Sequence, residues 1–220
     1  MAKESMKIIA ISDTHNLHHK LVLPEGDMII HAGDFTTWGD IKEANCFKNW
    51  FAKLPYKYKV CIAGNHDRCM ESMHFLAKDF EQAGIIYLRN SSVNVEGINI
   101  YGSPYTPEYG AFSFMYNRSH GTRQWQWVPD DTEILITHGP PYQILDECQD
   151  GMFDAGCEQL LERTKQLKKL KYHIFGHVHE GYGIQGKHVN ASNHPGLWDG
   201  YGNNPVFNKE HKFKPIELEI

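Results

Sequence analysis

Five short apolar runs, each rich in β-branched or aromatic residues, recur along this chain of 220 residues, and each is followed at once by a small polar cluster. The runs are Ile8-Ile9-Ala10-Ile11, Met28-Ile29-Ile30, Tyr58-Lys59-Val60-Cys61-Ile62-Ala63, Ile134-Leu135-Ile136 and Tyr172-His173-Ile174-Phe175. They read as buried strands. The clusters are Asp13-Thr14-His15, Gly33-Asp34, Gly64-Asn65-His66-Asp67, Thr137-His138-Gly139 and Gly176-His177-Val178-His179. In open α/β sheets ligands bind in the crevice beyond the carboxyl ends of the strands, so residues far apart in sequence can converge there.

The segments between the runs fit an α/β chain. Helical patterns over residues 40–54 and 70–83 alternate with the first three strands in βαβ pacing, and Gly84 stands where a helix would end on glycine. Residues 85–88, 92–95 and 98–101 then read as short strands, the last two joined by Glu96-Gly97. Residues 103–128 show neither period and read as a long ordered loop rich in aromatics. A strand at 133–137, a Pro-Pro turn, a helix at 155–170, a strand at 172–175 and β signals at 182–189 and 215–220 complete the chain. Without a linker-like stretch, one domain over 1–220 is expected.

Composition narrows the partners. A net charge of -5 and a pI near 6.3 argue against a general nucleic-acid or membrane surface, while fourteen histidines give scope for metal binding. No apolar run reaches membrane-spanning length and MAKESM lacks the hydrophobic stretch of a secretory signal, so a soluble, cytoplasmic protein is expected. Five cysteines, odd in number and without a Cys-x-x-Cys pair, suit reduced thiols.

The clusters carry metal chemistry. Carboxylate oxygens and imidazole nitrogens suit divalent ions, and holding two cations within about 4 Å needs an anionic bridge, for which Asp34 is the natural choice. Strand alternation points Asp13 and His15 the same way, and His177 and His179 repeat the device. Asn65 offers a neutral carbonyl oxygen, which leaves its neighbour His66 for catalysis. Asp67 is expected to fix the turn or orient a histidine, His31 and His173 to be core residues, and His18 and His19 to be exposed. The lysine run KQLKKLK at 165–171 is expected to be a solvated helix face.

At these residues the chain resembles the calcineurin-like metallophosphoesterases, whose motifs D-x-H, G-D, G-N-H-[DE], a later H and G-H-x-H are all present. The strings GSPYTPEYG, EILITHGPP, HIFGHVHEGYG and VNASN are similar to the metallophosphoesterase-domain-containing (239FB-like) subfamily. The resemblance implies a four-layer α/β/β/α sandwich of two mixed β-sheets flanked by helices. It also implies one metal held by Asp13, His15, Asp34 and His179, a second by Asp34, Asn65, His138 and His177, and His66 as the catalytic histidine. Some animal members of the subfamily carry glycine at the position of His177, with a weakened second site; histidine here implies a competent pair. Where relatives often have arginine shortly after D-T-H, this chain reads Asn16-Leu17-His18.

The function expected is hydrolysis of a small nucleotide-like or cyclic-nucleotide phosphodiester, with a metal-bridging hydroxide attacking phosphorus in line. His66 would serve the leaving oxygen, Asn65 and His66 would touch substrate, and Arg118 or Arg123 in the long loop would contact phosphate. Two divalent ions are implied, manganese foremost, with iron, zinc, cobalt or nickel also fitting the donors. The alternatives are a phosphomonoesterase and a metal-stabilised nucleotide-binding scaffold with little turnover. A protein Ser/Thr phosphatase would carry G-D-x-x-D-R-G, whereas Gly33-Asp34 leads here into Phe35-Thr36-Thr37-Trp38-Gly39. Neither a membrane nor a stable nucleic-acid partner is expected, and the oligomeric state is open.

Overall fold

The computed structural model of the chain describes residues 5–148, 155–193 and 214–220. The first sheet is built from the parallel strands β1 (Lys7–Ile11), β2 (Met28–His31), β3 (Tyr58–Cys61) and β4 (Ile86–Tyr87). The second sheet contains β5 (Ser91–Val95) and β6 (Ile98–Ser103) as an antiparallel hairpin. Next along the chain comes a separate two-stranded ribbon, β7 (Thr106–Pro107) with β8 (Met115–Tyr116). The sheet then continues through β9 (Ile134–Thr137), β10 (Tyr172–Phe175), β11 (Gly183–Gln185) and β12 (His188–Asn190), in the order β11-β12-β10-β9-β6-β5. The last strand, β13 (Ile216–Glu219), returns antiparallel to β1 on the edge of the first sheet.

Three apolar layers follow from strand alternation. In β1, Ile8 and Ala10 face a core shared with Val60 and Ile62 of the first sheet and Ile100, Ile134, Ile136 and Ile174 of the second. Ile9 and Ile11 face the other way, onto Phe47 and Phe51 of α1 (Ile41–Ala52) and, beyond the short α2 (Arg68–Ser72), onto Leu76 and Phe80 of α3 (Phe75–Gln82). On the far side of the second sheet, Tyr101 and Leu135 pack on Trp125 of α4 (Gly121–Trp125) and Leu160 of α5 (Glu158–Gln166). The result is the expected α/β/β/α order of two mixed sheets, with the central strands buried on both faces.

Register sets up the site. Ile11 pairs with His31 and His31 with Cys61, so β1, β2 and β3 end level with one another. Ile136 likewise pairs with Ile174, bringing the ends of β9 and β10 together. All five polar clusters therefore leave the sheets at strand C-termini.

Several elements differ from the sequence expectation. The helix expected at 70–83 is two helices, because Met73 adopts an extended conformation (φ -117°, ψ 83°) between α2 and α3. The helix expected at 155–170 is shorter: Cys157 caps it, its thiol accepting from Leu160 N, and Leu167 turns extended. The 103–128 loop contains the β7–β8 ribbon and α4, elements too short to impose a period. His18 is buried, packed on Phe47 and Trp50, and burial lowers its pKa to about 4. His19 is exposed as expected, and so are Lys165, Lys168, Lys169 and Lys171, but of these lysines only Lys165 lies on α5, so the run is a solvated stretch that continues past the helix. Among the described residues no helix is long and apolar enough to cross a membrane.

Candidate metal centre

The turns after β1 and β2 keep pairing beyond the strands themselves. Asp13 N donates to Gly33 O at 2.9 Å, His15 N to Asp34 O at 3.0 Å and Asn16 N to Phe35 O at 2.9 Å. This ladder holds Asp13, His15 and Asp34 at φ values of 54°, 39° and 56°, a left-handed region that costs non-glycine residues on the order of 1 kcal/mol or more each. His177, after β10, has φ 72°. All four strained residues are candidate ligands.

Each side chain is then fixed by a second contact. Asp13 accepts from His177 N at 3.0 Å and from Ser192 Oγ at 2.8 Å. Asp34 accepts from His66 N at 2.7 Å. A carbonyl can only accept, so His15 Nδ1 donates to Thr36 O, His66 Nδ1 to Thr37 O and His138 Nδ1 to Ala32 O. In all three rings Nε2 is left as the nitrogen facing the cluster, the tautomer control that ligating histidines need. Asp67 fixes the turn as expected: it accepts from Gly64 N, Asp34 N, Thr36 N and Thr36 Oγ1 at 2.7–2.9 Å.

The donors converge. Asp13, His15 and His179 bring ligand atoms within 4.8 Å of one another, as do His15, Asp34 and His66, and Asp13, Asp34 and His138. One Asp34 oxygen faces His138 Nε2 at 3.3 Å and His15 Nε2 at 3.9 Å. Asn65 Oδ1 lies 2.8 Å from His138 Nε2, and the His177 ring packs 5.1 Å from His138. His66 also lies inside a ligand-capable group, edge-on to His15 at 4.8 Å, so geometry alone does not set it apart from the ligands.

Burial and charge prepare these groups for a cation. Burial works against the Asp13 carboxylate, but its hydrogen bond to His179, helped by His138 and His15, holds it well below the usual range. Burial works equally against Asp34, which His138 and His66 hold low. Burial lowers His15 to about 4 and His177 to about 3, leaving the neutral imidazoles that bind metal. Burial opposes charge on His138 too, yet the Asp34 carboxylate prevails and raises it to about 9. His179 is raised in the same way by Asp13. In the metal-free protein protons on these two histidines stand against the buried carboxylates, a place two divalent ions fit.

Backbone space is cut to the same purpose. A Cβ at Gly64 would lie 2.5 Å from His138 Cε1 and 2.7 Å from Asp34 N; one at Gly33, where φ is +102°, would lie 2.6 Å from His138 Nδ1. Only glycine admits the donors this closely.

The Arg118 guanidinium, expected at the substrate phosphate, donates to Gly156 O at 2.6 Å and pairs with Glu158, at the start of α5. What the sequence reading did not single out are Thr36 and Thr37, whose carbonyls set two histidine tautomers, and Ser192 on Asp13. The signals were present in Phe35-Thr36-Thr37 directly after Gly-Asp and in VNASN. Tyr109 and Phe112 were also not named within their loop: Phe112 stands 5.2 Å from His66 and Tyr109 5.2 Å from His177, ring to ring.

Known proteins place this geometry. The chain is 36% identical over 214 residues to human metallophosphoesterase domain-containing protein 1, covering 84% of this chain and 65% of that protein. It is 36% identical over 193 residues to the Caenorhabditis elegans UPF0046 protein K07C11.7, covering 81% and 65%. The chain thus spans just under two thirds of the length of these relatives. In fold it is similar to the crystal structure of TT1561 of Thermus thermophilus, with a TM-score of 0.58 at 13% identity over 86% of this chain and 90% of that one. The model of the calcineurin-like phosphoesterase family matches residues 6–181, a span that holds every candidate ligand, and the chain belongs to that family.

Proposed function

We propose that this chain is a phosphodiesterase that uses a pair of divalent ions, manganese foremost, to hydrolyse small nucleotide-like or cyclic-nucleotide diesters. Membership of a phosphoesterase family supports phosphoric ester hydrolysis, and the observation that carries the dinuclear reading is the Asp34 oxygen facing His138 on one side and His15 on the other. Asp13, His15, Asp34 and His179 would hold one ion, and Asp34, Asn65, His138 and His177 the other. When bound, the ions activate water and neutralise charge on the phosphoryl oxygens.

The chain's own residues do the rest. Asp34 and Asp13 are each held in place by hydrogen bonds, from His66 N and from His177 N and Ser192 Oγ respectively, which orients the anionic side of the cluster before an ion is loaded. Asn65 and His66 line the place of the phosphoryl group. His66, pinned through Nδ1 to Thr37 O, presents Nε2 toward the leaving oxygen, and it is the imidazolium form, with a second proton on Nε2, that hands a proton over and returns to the neutral ring.

The aromatic pair Tyr109 and Phe112 beside the centre supports an ester with an organic substituent. The five free cysteines support reduced thiols and, with them, a cytoplasmic setting; a single domain, a small-molecule substrate and no nucleic-acid partner complete the reading.

The experiment is metal analysis of the purified protein, then turnover of bis(p-nitrophenyl) phosphate, p-nitrophenyl phosphate and 2',3'- and 3',5'-cyclic nucleotides with each of the five metals. Two ions per chain and a diester preference are expected. Faster turnover of the monoester would replace the diester reading, and no turnover with any metal would leave the scaffold.

A further inference from the structure

Residues 109–114 divide their aromatics between two tasks. Phe114 is fully buried, packed edge-on to Tyr105 with the Arg89 guanidinium 5.0 Å over its ring, and anchors the segment in the core. Tyr109 and Phe112 are not anchors: each is 42% exposed, and their rings stack on one another at 5.2 Å and 26°. Together they reach from His66 on one flank of the centre to His177 on the other.

The backbone beneath the pair is tied to the turn that carries Asn65 and His66. Ser113 N donates to Asn65 O at 3.1 Å, and Phe114 N donates to Glu71 Oε1 at 3.0 Å, Glu71 being part of α2 directly after that turn. Thr106 N closes the loop on Phe114 O at 3.0 Å. Phe114 sits at φ 52°, in the left-handed region, two residues after the exposed Phe112. Phe112 and His66 thus ride on one hydrogen-bonded unit.

From this we infer that Tyr109 and Phe112 form a specificity wall for a planar aromatic substituent on the phosphoester, and that Glu71 is the positioning residue that holds the wall at His66. The inference rests on the phosphoesterase reading above and adds the class of group esterified to phosphorus. A flat ring laid against exposed aromatics covers apolar surface and gains offset or edge-to-face contacts, whereas a small alkyl group gains little. Because Phe112 stands beside the proposed proton donor, the ring it takes belongs to a substituent within reach of the leaving oxygen.

Equilibrium binding tests this without turnover. Calorimetry on the full chain loaded with Mn²⁺ compares phenylphosphonate with methylphosphonate, which share a headgroup and differ only in the ring. The wild type should bind the phenyl compound about three- to tenfold more tightly. Phe112→Ala and Tyr109→Ala should each reduce that preference to within about twofold while leaving the methyl compound and the metal content unchanged. Glu71→Ala, which leaves Phe114 N without its acceptor, should lose the preference, and Glu71→Gln, which keeps a side-chain carbonyl there, should restore it. Equal affinities in the wild type, or a phenyl preference that survives both aromatic substitutions, would overturn the wall. Equal loss with Gln and Ala would overturn the part given to Glu71. A phenyl preference in a protein that turns over no diester would sink the phosphodiesterase reading and leave the wall standing.

Discussion

Acid should destabilise this fold in part through the pair His173 and His188, and the structure sets the sign. Thr137 Oγ1 donates to Gly139 O at 2.7 Å, so it must accept from His173 Nε2 at 2.8 Å. His173 Nδ1 is then bare and accepts from His188 Nδ1 at 3.1 Å. Every nitrogen of the fully buried His173 is thus used in its neutral form, and burial, with His188 and Lys187 adding to it, holds its pKa well below 6.5. In the unfolded chain the same group titrates near 6.5. Below that pH the unfolded state takes up a proton that the folded state refuses, so stability is present above pH 6.5 and is lost as pH falls toward the folded pKa. At pH 5 the penalty is about 2 kcal/mol, a large part of a typical net stability of ~5–15 kcal/mol. Urea unfolding followed by tryptophan fluorescence at pH 7.5 and pH 5, on the wild type and on His173→Gln, isolates this group from the other titrations. The stability advantage of the wild type over the variant should shrink by about 2 kcal/mol at pH 5. An advantage that stays constant between the two pH values would show that His173 accepts its proton in the folded state, and the tautomer chain deduced above would be wrong.

Three substitutions address the centre itself. His66→Gln should lower diester turnover by about 100-fold or more while mass spectrometry still finds both ions, since the proton donor is lost and the other donors stay; unchanged turnover would remove His66 from the chemistry. Gly64→Ala drives a methyl group into His138 Cε1 and Asp34 N, and should cost about 1–3 kcal/mol in chelator-treated protein together with a loss of metal. Asp67→Asn replaces one of two accepting oxygens by an amide that faces donors already in place, and thermal unfolding should register a loss of about 1–3 kcal/mol.

Much of the layout was legible because strands buried on both faces write a continuous apolar run, as Ile8 to Ile11 and Ile134 to Ile136 do. The helix at 40–54 was legible for a local reason too: Asp40 caps it through the amides of Lys42 and Glu43. What the sequence hid depends on distant partners. His18 sits among polar neighbours in the chain, and only α1, folding back with Phe47 and Trp50, buries it. The partners of Arg118 were hidden in the same way, because the carbonyl and carboxylate it meets come from Gly156 and Glu158, some forty residues on. The candidate ligands were legible as clusters, but the aromatic pair beside them was not: Tyr109, Phe112 and Phe114 are alike in sequence, and only the folded chain buries Phe114, tied to Glu71, while Tyr109 and Phe112 lie beside His177 and His66.

The centre owes its shape more to backbone than to the donors it displays. Asp13, His15 and Asp34 are held in left-handed conformations by a ladder that extends the β1–β2 pairing past the end of both strands, and none of those bonds involves a ligating atom. The inter-sheet core below, from Ile8 to Ile174, fixes the strands from which the ladder starts. Conformations that cost on the order of 1–3 kcal/mol each persist only where the surroundings over-determine them, and here the surroundings are strands that end level with their neighbours within each sheet. A change confined to a candidate ligating side chain, such as Asp34→Asn, should therefore empty the centre yet keep the backbone fold in the metal-free protein, with a loss of stability confined to the broken pairing with His138. If that variant instead unfolded like one whose core had been cut, the donors would be holding the backbone, and the order of cause proposed for this site would have to be reversed.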